Sequence, residues 1–389
     1  MRIVHAITSV DLRLGGTARA VIDLAEAMAA RGHEVTVITE NDVNVEQWAQ
    51  AQPKRPRSLV DKNLKPIFSA RRPSSETMRT LRTADVVHVH AMWEPFNLRV
   101  AACCRAVGVP YVVTPHGMLD DWCMAQKPWK KRLHLALHGR AFLEGAASVH
   151  CTAAAELQQS AKWFPRGRGR VVPNLMDLKA FEVLPGIEEA VAAFPEISQH
   201  AVRLLFLSRV SPKKGVQHLV DAVAQLVHDG VDAVALIAGG ADADYRVALD
   251  ARAQKLGITH RIVYLGHVGG TLKLSLIQAC DMMVIPSSQE NFGFVFFESL
   301  AAGTPVVTTE LVDTRDELRG SGGAVIVQQN GAAVSAGIRE VMRRREPHAA
   351  DPMRMDVARA WVFRELALDV VTAQFEAMYR DAASMRTTA

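Results

Sequence analysis

The chain has 389 residues, 49% of them hydrophobic and 22% charged, the balance of an ordinary soluble globular protein with room for two domains. Its five cysteines are odd in number and show no zinc-ligand or redox CxxC spacing, which excludes a disulfide framework and fits a reducing compartment. Net charge is +4 but unevenly placed: up to Pro185 there are 25 Lys and Arg against 17 Asp and Glu, a net +8, and the remainder carries −4. A basic half suits a membrane surface, nucleic acid, an anionic substrate or a solvated face without a partner.

The first residues, MRIVHAITSV, contain no secretory signal, and no run approaches the ~20 apolar residues of a membrane span. A cytoplasmic protein is therefore expected. Residues 2–8, 34–39, 86–90, 111–115, 148–152 and 171–173 read as buried strands. Helical patterns lie between several of them, most clearly from Ala18 to Arg31, with Gly32 as the stop. Within this half, residues 52–75 are Pro-rich and basic and read as a surface loop. Residues 126–143 (QKPWKKRLHLALHGRAFL) mix a basic face with Trp129, Leu133, Leu135, Leu137, Phe142 and Leu143. They fit either an anionic membrane surface or a core helix with a basic outer face.

The pattern then restarts with strands at 204–207, 233–238, 261–265, 282–285, 304–308 and 324–327. A polar, Pro-containing stretch at 184–200 reads as the linker. The expected domains are 1–185 and 200–360, with 361–389 as a terminal segment. Strands alternating with helices predict an α/β chain of two doubly wound, Rossmann-like domains, each with a ligand edge at the carboxyl ends of its strands. If those edges face each other across a cleft, the cleft is the active site.

The strongest local signal is PSSQENFGFVFFESLAAGTP at 286–305. A strand ends, a polar turn follows, and a helix starts near Gly293, offering free amide N–H groups to an anion or a sugar hydroxyl. Glu290 lies in the turn and Glu298 in the helix's second turn. Helix-dipole stabilisation alone would explain an acidic residue there. A charge among Phe294, Phe296, Phe297 and Leu300 nevertheless needs a partner, and a ribose diol suits a carboxylate's two oxygens. The loop SRVSPKKG at 208–215 brings Arg209, Lys213 and Lys214 to a strand end, suited to a diphosphate. Gly15-Gly16 after the first strand permits close backbone approach to a ligand, or is a plain helix-start turn. His116, in Pro115-His116-Gly117, lies at a strand end, as do Trp93, Glu94 and Asn97. His88 and His90 lie within a strand and read as packing. There is no HExxH, GxSxG or Walker loop, no clustered Cys/His spacing and no nucleic-acid module, so neither a metal, a cofactor nor a nucleic-acid partner is expected.

These motifs, with SRVSPKKGV, ALIAGG, RIVYLGHV, TPHGMLDDW and VVPNLMD, resemble family 4 of the retaining glycosyltransferases, over nearly the whole length. The resemblance implies the GT-B fold, a UDP- or GDP-linked sugar donor, metal-independent transfer of a hexose with retention, and a glycan or lipid-linked acceptor in cell-surface polysaccharide synthesis. It assigns Arg209 and Lys214 to the diphosphate and Glu298 to the ribose. Glu290, with the amides of Asn291, Phe292 and Gly293, is assigned to the transferred sugar and distal phosphate. The stretch from Leu265 through His267 would flank the base, Gly16 would approach the diphosphate, and His116 would lie by the sugar and acceptor, with Trp93 and Asn97 on the acceptor side. The end, from Trp361 to Tyr379, resembles a helix crossing back to the N-terminal domain. Asn174-Leu175 and Asn291 depart from positions where the family commonly has glycine. Other enzymes on the double fold, such as a nucleotide-sugar epimerase, and a non-catalytic nucleotide-sugar-binding protein are the competing readings.

Overall fold

The computed structural model describes residues 1–14, 16–41, 54–64 and 72–386. The chain divides into two compact units, Met1–Met176 with Leu368–Ala389, and Asp177–Ala367.

The first unit is a parallel sheet of seven strands: β1 (Arg2–Ala6), β2 (Glu34–Thr39), β3 (Arg57–Val60), β4 (Val86–His90), β5 (Tyr111–Thr114), β6 (Ser148–Cys151) and β7 (Gly169–Val171). Their spatial order is β3-β2-β1-β4-β5-β6-β7. The second is a parallel sheet of six: β8 (Val202–Leu207), β9 (Ala233–Ala238), β10 (Ile262–Gly266), β11 (Met282–Ile285), β12 (Val306–Thr309) and β13 (Ala324–Val327), in the order β10-β9-β8-β11-β12-β13. The order reverses between β1 and β4 and between β8 and β11. Those are the switch points where loops of a doubly wound sheet part to admit a ligand. The helix Gly16–Ala30 buries Val21, Ile22, Leu24, Ala25 and Met28. It stops where Gly32 takes φ +90° and donates its N–H to the Ala29 carbonyl at 3.0 Å.

Four stretches differ from expectation. The surface loop at 52–75 contains β3, paired in parallel with β2 from Thr36–Arg57 to Thr39–Val60. It is an edge strand whose one fully buried residue is Leu59, so no apolar alternation announces it. Residues 52, 53 and 65–71 of that stretch lie outside the described residues. The unit boundary falls at Met176–Asp177, ahead of the polar stretch at 184–200. That stretch instead folds as a helix, Glu188–Ala193, and a short turn at Pro195–Ser198. It is held by the Ala190 N–H donating to Ser275 Oγ (3.0 Å) and the Gly186 N–H to Gln278 Oε1 (3.0 Å). Residues 126–143 form a helix (Pro128–His134), a π-turn (Leu135–Gly139) and a second short helix (Arg140–Glu144). Leu135, Phe142 and Leu143 are core, while Trp129, Leu133 and Leu137 are exposed by 65, 52 and 62%. Finally, the C-terminal segment is two helices. Met355–Glu365 belongs to the second unit, its Trp361 stacked near Phe297 at 6.1 Å. Leu368–Ala383 belongs to the first.

That last helix is fastened to the sheet by a hydrogen-bonded chain whose direction can be derived. His150 Nε2 lies 2.7 Å from the Val172 carbonyl. A carbonyl only accepts, so Nε2 carries the proton. Burial keeps the His150 ring neutral, its pKa pushed down to about 4, so Nδ1 accepts, here from the Thr114 hydroxyl at 2.7 Å. Thr114 Oγ1, its proton committed, accepts from His88 Nε2 at 2.6 Å. His88 Nδ1 is then an acceptor for the Tyr379 hydroxyl at 2.8 Å. All these groups are buried, so each bond satisfies atoms that water cannot reach. Tyr379→Phe removes the donor and leaves His88 Nδ1 unpaired. It should cost about 1–3 kcal/mol, read as a lower urea midpoint with an unchanged m-value.

Candidate active site

In the second unit the loops after β8 and β9 run side by side. A parallel bridge joins Val210 to Ala241. Gly239 takes φ +143°, and a Cβ there would meet the Ser208 carbonyl oxygen at 2.0 Å. The glycine pair at 239–240 therefore permits the backbone approach that opens a cavity of about 820 Å³. Ser208, Arg209, Gly239, Gly240, Asp242 and His267 are among its walls. Leu265 lies on β10, leading to His267. Arg209 is exposed and has no hydrogen bond or ion pair among the described residues. Its charge has only water and a prospective ligand to meet.

The second cation is placed by a different backbone contact. Gly215, at φ +68°, packs so closely on the loop after β11 that a Cβ would meet the Pro286 carbonyl oxygen at 2.0 Å. Gln329 Nε2 donates to that carbonyl at 3.0 Å. The Ser288 N–H and Oγ–H both donate to the Lys213 carbonyl at 2.9 Å. With the loops joined by Ser288, Lys214 Nζ forms an ion pair with Glu290 Oε2. The two strongest sequence signals are thus one piece of structure.

Glu290 is further held through its backbone, its carbonyl accepting from the Asp313 N–H at 2.9 Å. Asn291 Nδ2 donates to Asp313 Oδ2 at 3.3 Å. Phe292 is buried against Phe294 and Phe297, ring centroids 5.0 Å apart, and its carbonyl accepts from the Thr314 hydroxyl at 3.0 Å, which leaves its N–H for any ligand contact. Gly293 turns at φ +69° where a Cβ would strike the Phe296 ring at 2.5 Å and Glu290 Cγ at 2.9 Å. The helix Phe294–Ala301 then begins with no side-chain cap. Glu298 does not depend on a ribose to compensate its charge. Lys273 Nζ supplies a counter-ion, 2.8 Å from Oε1. Oε2 has no partner among the described residues, so one carboxylate oxygen is anchored and the other is available.

In the first unit Gly16 opens a helix and is exposed; Gly15 lies outside the described residues. His116 sits just past β5 at φ +53° and Ala91 just past β4 at φ +69°. Both are left-handed conformations unusual for residues other than glycine, and such strain collects at functional loops. Glu156, fully buried, ties the strand ends together. Its Oε1 accepts the Gly117 N–H at 2.7 Å, and its Oε2 accepts the N–H (2.6 Å) and hydroxyl (3.0 Å) of Thr152. Trp93 stacks beneath Lys131, whose Nζ lies 5.5 Å from the ring centre. Asn97 is fully buried and supports the loop, donating to the His90 carbonyl at 2.6 Å, while its Oδ1 has no partner among the described residues.

His90 is more than packing. It is bonded to His5 (His90 Nε2 to His5 Nδ1, 3.0 Å) and to His116 (His90 Nδ1 to His116 Nε2, 3.2 Å). One nitrogen from each of His5, His88 and His90 comes within 4.8 Å of the others, a cluster that sequence spacing hides because its members sit on two strands. Those of His88 are both engaged by Tyr379 and Thr114, and only His5 Nε2 is without a partner. Lys273, Glu156 and the His5–His90–His116 chain escaped the sequence reading; Gly239 was visible only as part of ALIAGG.

Two Rossmann-like parallel sheets, the second with a glycine-gated cavity and cations at its strand ends, define the GT-B class of nucleotide-sugar enzymes. The profile described as "Glycosyl transferases group 1" matches residues 189–355 and that described as "Glycosyltransferase Family 4" matches 14–180. Together they span most of the chain, which belongs to this glycosyltransferase family. It is 27% identical to an uncharacterized glycosyltransferase of Methanocaldococcus jannaschii, over 77% of each chain. It is 26% identical to a phosphatidyl-myo-inositol mannosyltransferase of Mycobacterium leprae, over 85% of this chain and 84% of that one. Among solved structures it resembles Anabaena Alr3699/HepE, crystallised in complex with UDP, with a TM-score of 0.77, 18% identity, and coverage of 97% of this chain and 99% of that one.

The buried histidines make the first unit acid-sensitive. Burial pushes His5 down to about 3 and His150 to about 4, and holds His88 and His90 well below the ordinary 6.5. Below pH 6.5 the unfolded chain takes up protons that the folded one refuses, so stability is full above that pH and is lost on acidification. Each ring contributes at most about 1.4 kcal/mol per pH unit. The thermal midpoint should fall steeply between pH 7 and 5 and stay nearly level between pH 7 and 8 in a calorimetric series.

Proposed function

We propose that the chain transfers a hexose from a UDP- or GDP-linked sugar to a glycan or lipid-linked saccharide, with retention at the anomeric carbon and without a metal, in cell-surface polysaccharide synthesis. The observation that carries this reading is the cation pair at the strand ends of the second unit. Arg209 faces the cavity without a counter-ion among the described residues, and Lys214, further along the same loop, is held by Glu290. A guanidinium and an ammonium can take the charge that a divalent ion would otherwise neutralise on a diphosphate.

In the transfer, the bond between the anomeric carbon and the distal phosphate oxygen breaks. The acceptor oxygen bonds to the same face of that carbon, and its proton passes to the departing phosphate oxygen. Negative charge grows on the diphosphate as the bond breaks, so Arg209 and Lys214 stabilise the transition state more than the ground state. Glu290 fixes Lys214 and lies where the sugar hydroxyls would be, as a positioner and not a nucleophile. Glu298, anchored by Lys273, offers Oε2 to a ribose hydroxyl. Leu265 and His267 would flank the base, with Gly16 and His116 contributing from the first unit. UDP in the Anabaena structure supports a nucleotide donor, and the mycobacterial mannosyltransferase supports a lipid-linked acceptor.

An acceptor in a membrane would place a cytoplasmic enzyme at the membrane's inner face. No helix among the described residues is long and apolar enough to cross a membrane. Exposed Trp129, Leu133 and Leu137 nevertheless lie among Lys127, Lys130, Arg132 and Arg140, an apolar strip with basic flanks suited to anionic headgroups.

A panel of UDP- and GDP-sugars should raise the thermal midpoint for one donor class. Lys214→Ala should lower kcat for that donor at least about 100-fold, as expected for loss of a transition-state charge contact, without lowering the midpoint of the free protein by more than a few degrees. Near-normal turnover would remove the assignment. The chain should also float with liposomes containing phosphatidylglycerol at low salt, and Trp129→Ser with Leu133→Ser should abolish this. Equal flotation with neutral liposomes would refute the charge-assisted contact.

A further inference from the structure

Three imidazoles in the first unit form a single file from the interior of the sheet to the loop after β5. His5 on β1 is bonded to His90 at the end of β4 (3.0 Å), and His90 to His116 (3.2 Å). Their rings lie nearly parallel, with centroids 5.3 and 5.4 Å apart and interplanar angles of 25° and 26°. The inner end is closed. His5 is fully buried, and its Nε2 has no hydrogen-bond partner. The outer ring is half-buried, and its Nδ1 makes no bond among the described residues.

A neutral imidazole carries one N–H and one lone pair. Burial keeps all three rings neutral, His5 and His116 pushed down to about 3 and His90 held well below its ordinary value. Two bonds among three neutral rings permit two arrangements. In one, every ring is protonated on Nε2, and the chain ends on a buried His5 N–H with nothing to donate to. In the other, every ring is protonated on Nδ1. His5 Nδ1–H then donates to His90 Nε2, and His90 Nδ1–H donates to His116 Nε2. The buried end is now a lone pair, and the remaining N–H emerges on His116 Nδ1. Orphaned buried N–H groups are the rarer defect in folded proteins.

We propose that His5 and His90 are positioning residues that lock His116 in its Nδ1–H tautomer, so that His116 serves as a hydrogen-bond donor to a sugar or phosphate oxygen. This rests on the reading of His116 as a substrate-facing residue. The loop is held for that purpose. Asn97 anchors the His90 carbonyl, Glu156 anchors the Gly117 amide, and the rings cannot turn without breaking a bond. The role resembles that of a group orienting a catalytic histidine through its far nitrogen.

The test is two-bond 15N–1H correlation on the full chain with 15N-labelled histidine at pH 7.5, assigning His116 by its loss in His116→Gln. The expected wild-type result is a protonated Nδ1 and an unprotonated Nε2. Free histidine prefers the opposite tautomer, so the result is diagnostic, and the tautomer itself is read on the wild-type chain. In His90→Phe the His116 ring should revert to a mixture dominated by Nε2–H, with kcat at least 10-fold lower and donor KM changed by less than threefold. His116→Gln, which can still donate, should retain at least 10-fold more activity than His116→Phe. A protonated Nε2 on wild-type His116 would overturn the proposal, as would an unchanged tautomer in His90→Phe or a stoichiometric metal bound to His5 and His90 in the purified protein. Nucleotide-sugar binding by thermal shift fails or succeeds independently of these spectra, so a failed donor assignment and a failed tautomer lock are separable.

Discussion

Gly215 against the Pro286 carbonyl is the contact on which the second unit's site depends. Lys214 and Glu290 are 76 residues apart, and they meet because β8 and β11 are neighbours at the point where strand order reverses. Neighbouring strands alone would leave their loops free to splay, as loops at a switch point usually do. The glycine removes the side chain that would hold them apart, Ser288 then bonds across the gap to Lys213, and Gln329 steadies the Pro286 carbonyl. An ammonium on a flexible stem thereby becomes a fixed charge. The same device recurs at Gly239 against the Ser208 carbonyl, where it gives the cavity its floor.

The first unit solves a different problem. One face of its sheet carries Ile3, Val86 and Val112 toward the start of the strands and His5, His88, His90 and Thr114 toward the end, all beneath the helix Leu368–Ala383. A parallel sheet is buried on both faces, so such polar groups are costly unless each finds a partner. One carbonyl, that of Val172, fixes the proton positions of a whole chain as far as Tyr379. The neighbouring file through His90 has no such carbonyl, and its direction is decided at its closed end. Polar groups inside this sheet set a pattern of donors and acceptors at its ligand edge, which an apolar core could not do.

The legible part of the sequence was whatever local pattern encodes. Buried strands such as VVHVH and AVALIA read as continuous apolar or alternating runs, and the Glu290–Glu298 segment was marked by its turn, its glycine and its apolar helix. β3 was invisible because an edge strand buries too little to show a period. Residues 184–200 looked like a linker because a short helix docked by backbone hydrogen bonds has little apolar face. Lys273 and Glu156 could not be found at all: each acts on a residue 25 or 39 positions away, and a lone Lys or Glu on a helix carries no sign of its partner. The supporting bond of Asn97 was hidden for a related reason. A polar residue just after a strand end serves the loop's own backbone as readily as a ligand.

The two cations of the second unit differ in a way that bears on how a donor would be held. Arg209 has no protein anion to leave, so a diphosphate meeting it gains a charge-assisted bond and loses only water. Lys214 already has Glu290. Its charge is largely compensated before a ligand arrives, and a half-buried ion pair gives back much of its Coulomb energy as desolvation. A diphosphate approaching Lys214 must share the ammonium with Glu290 or displace it, and a displaced Glu290 needs new donors. Sugar hydroxyls are such donors, and a free diphosphate has none. In the proposed donor site the pair would therefore couple the two halves of a nucleotide sugar, the phosphate freeing a carboxylate that the sugar then satisfies. A donor carrying both would be favoured over a nucleotide carrying one, and the Lys214–Glu290 pair would serve discrimination as well as charge.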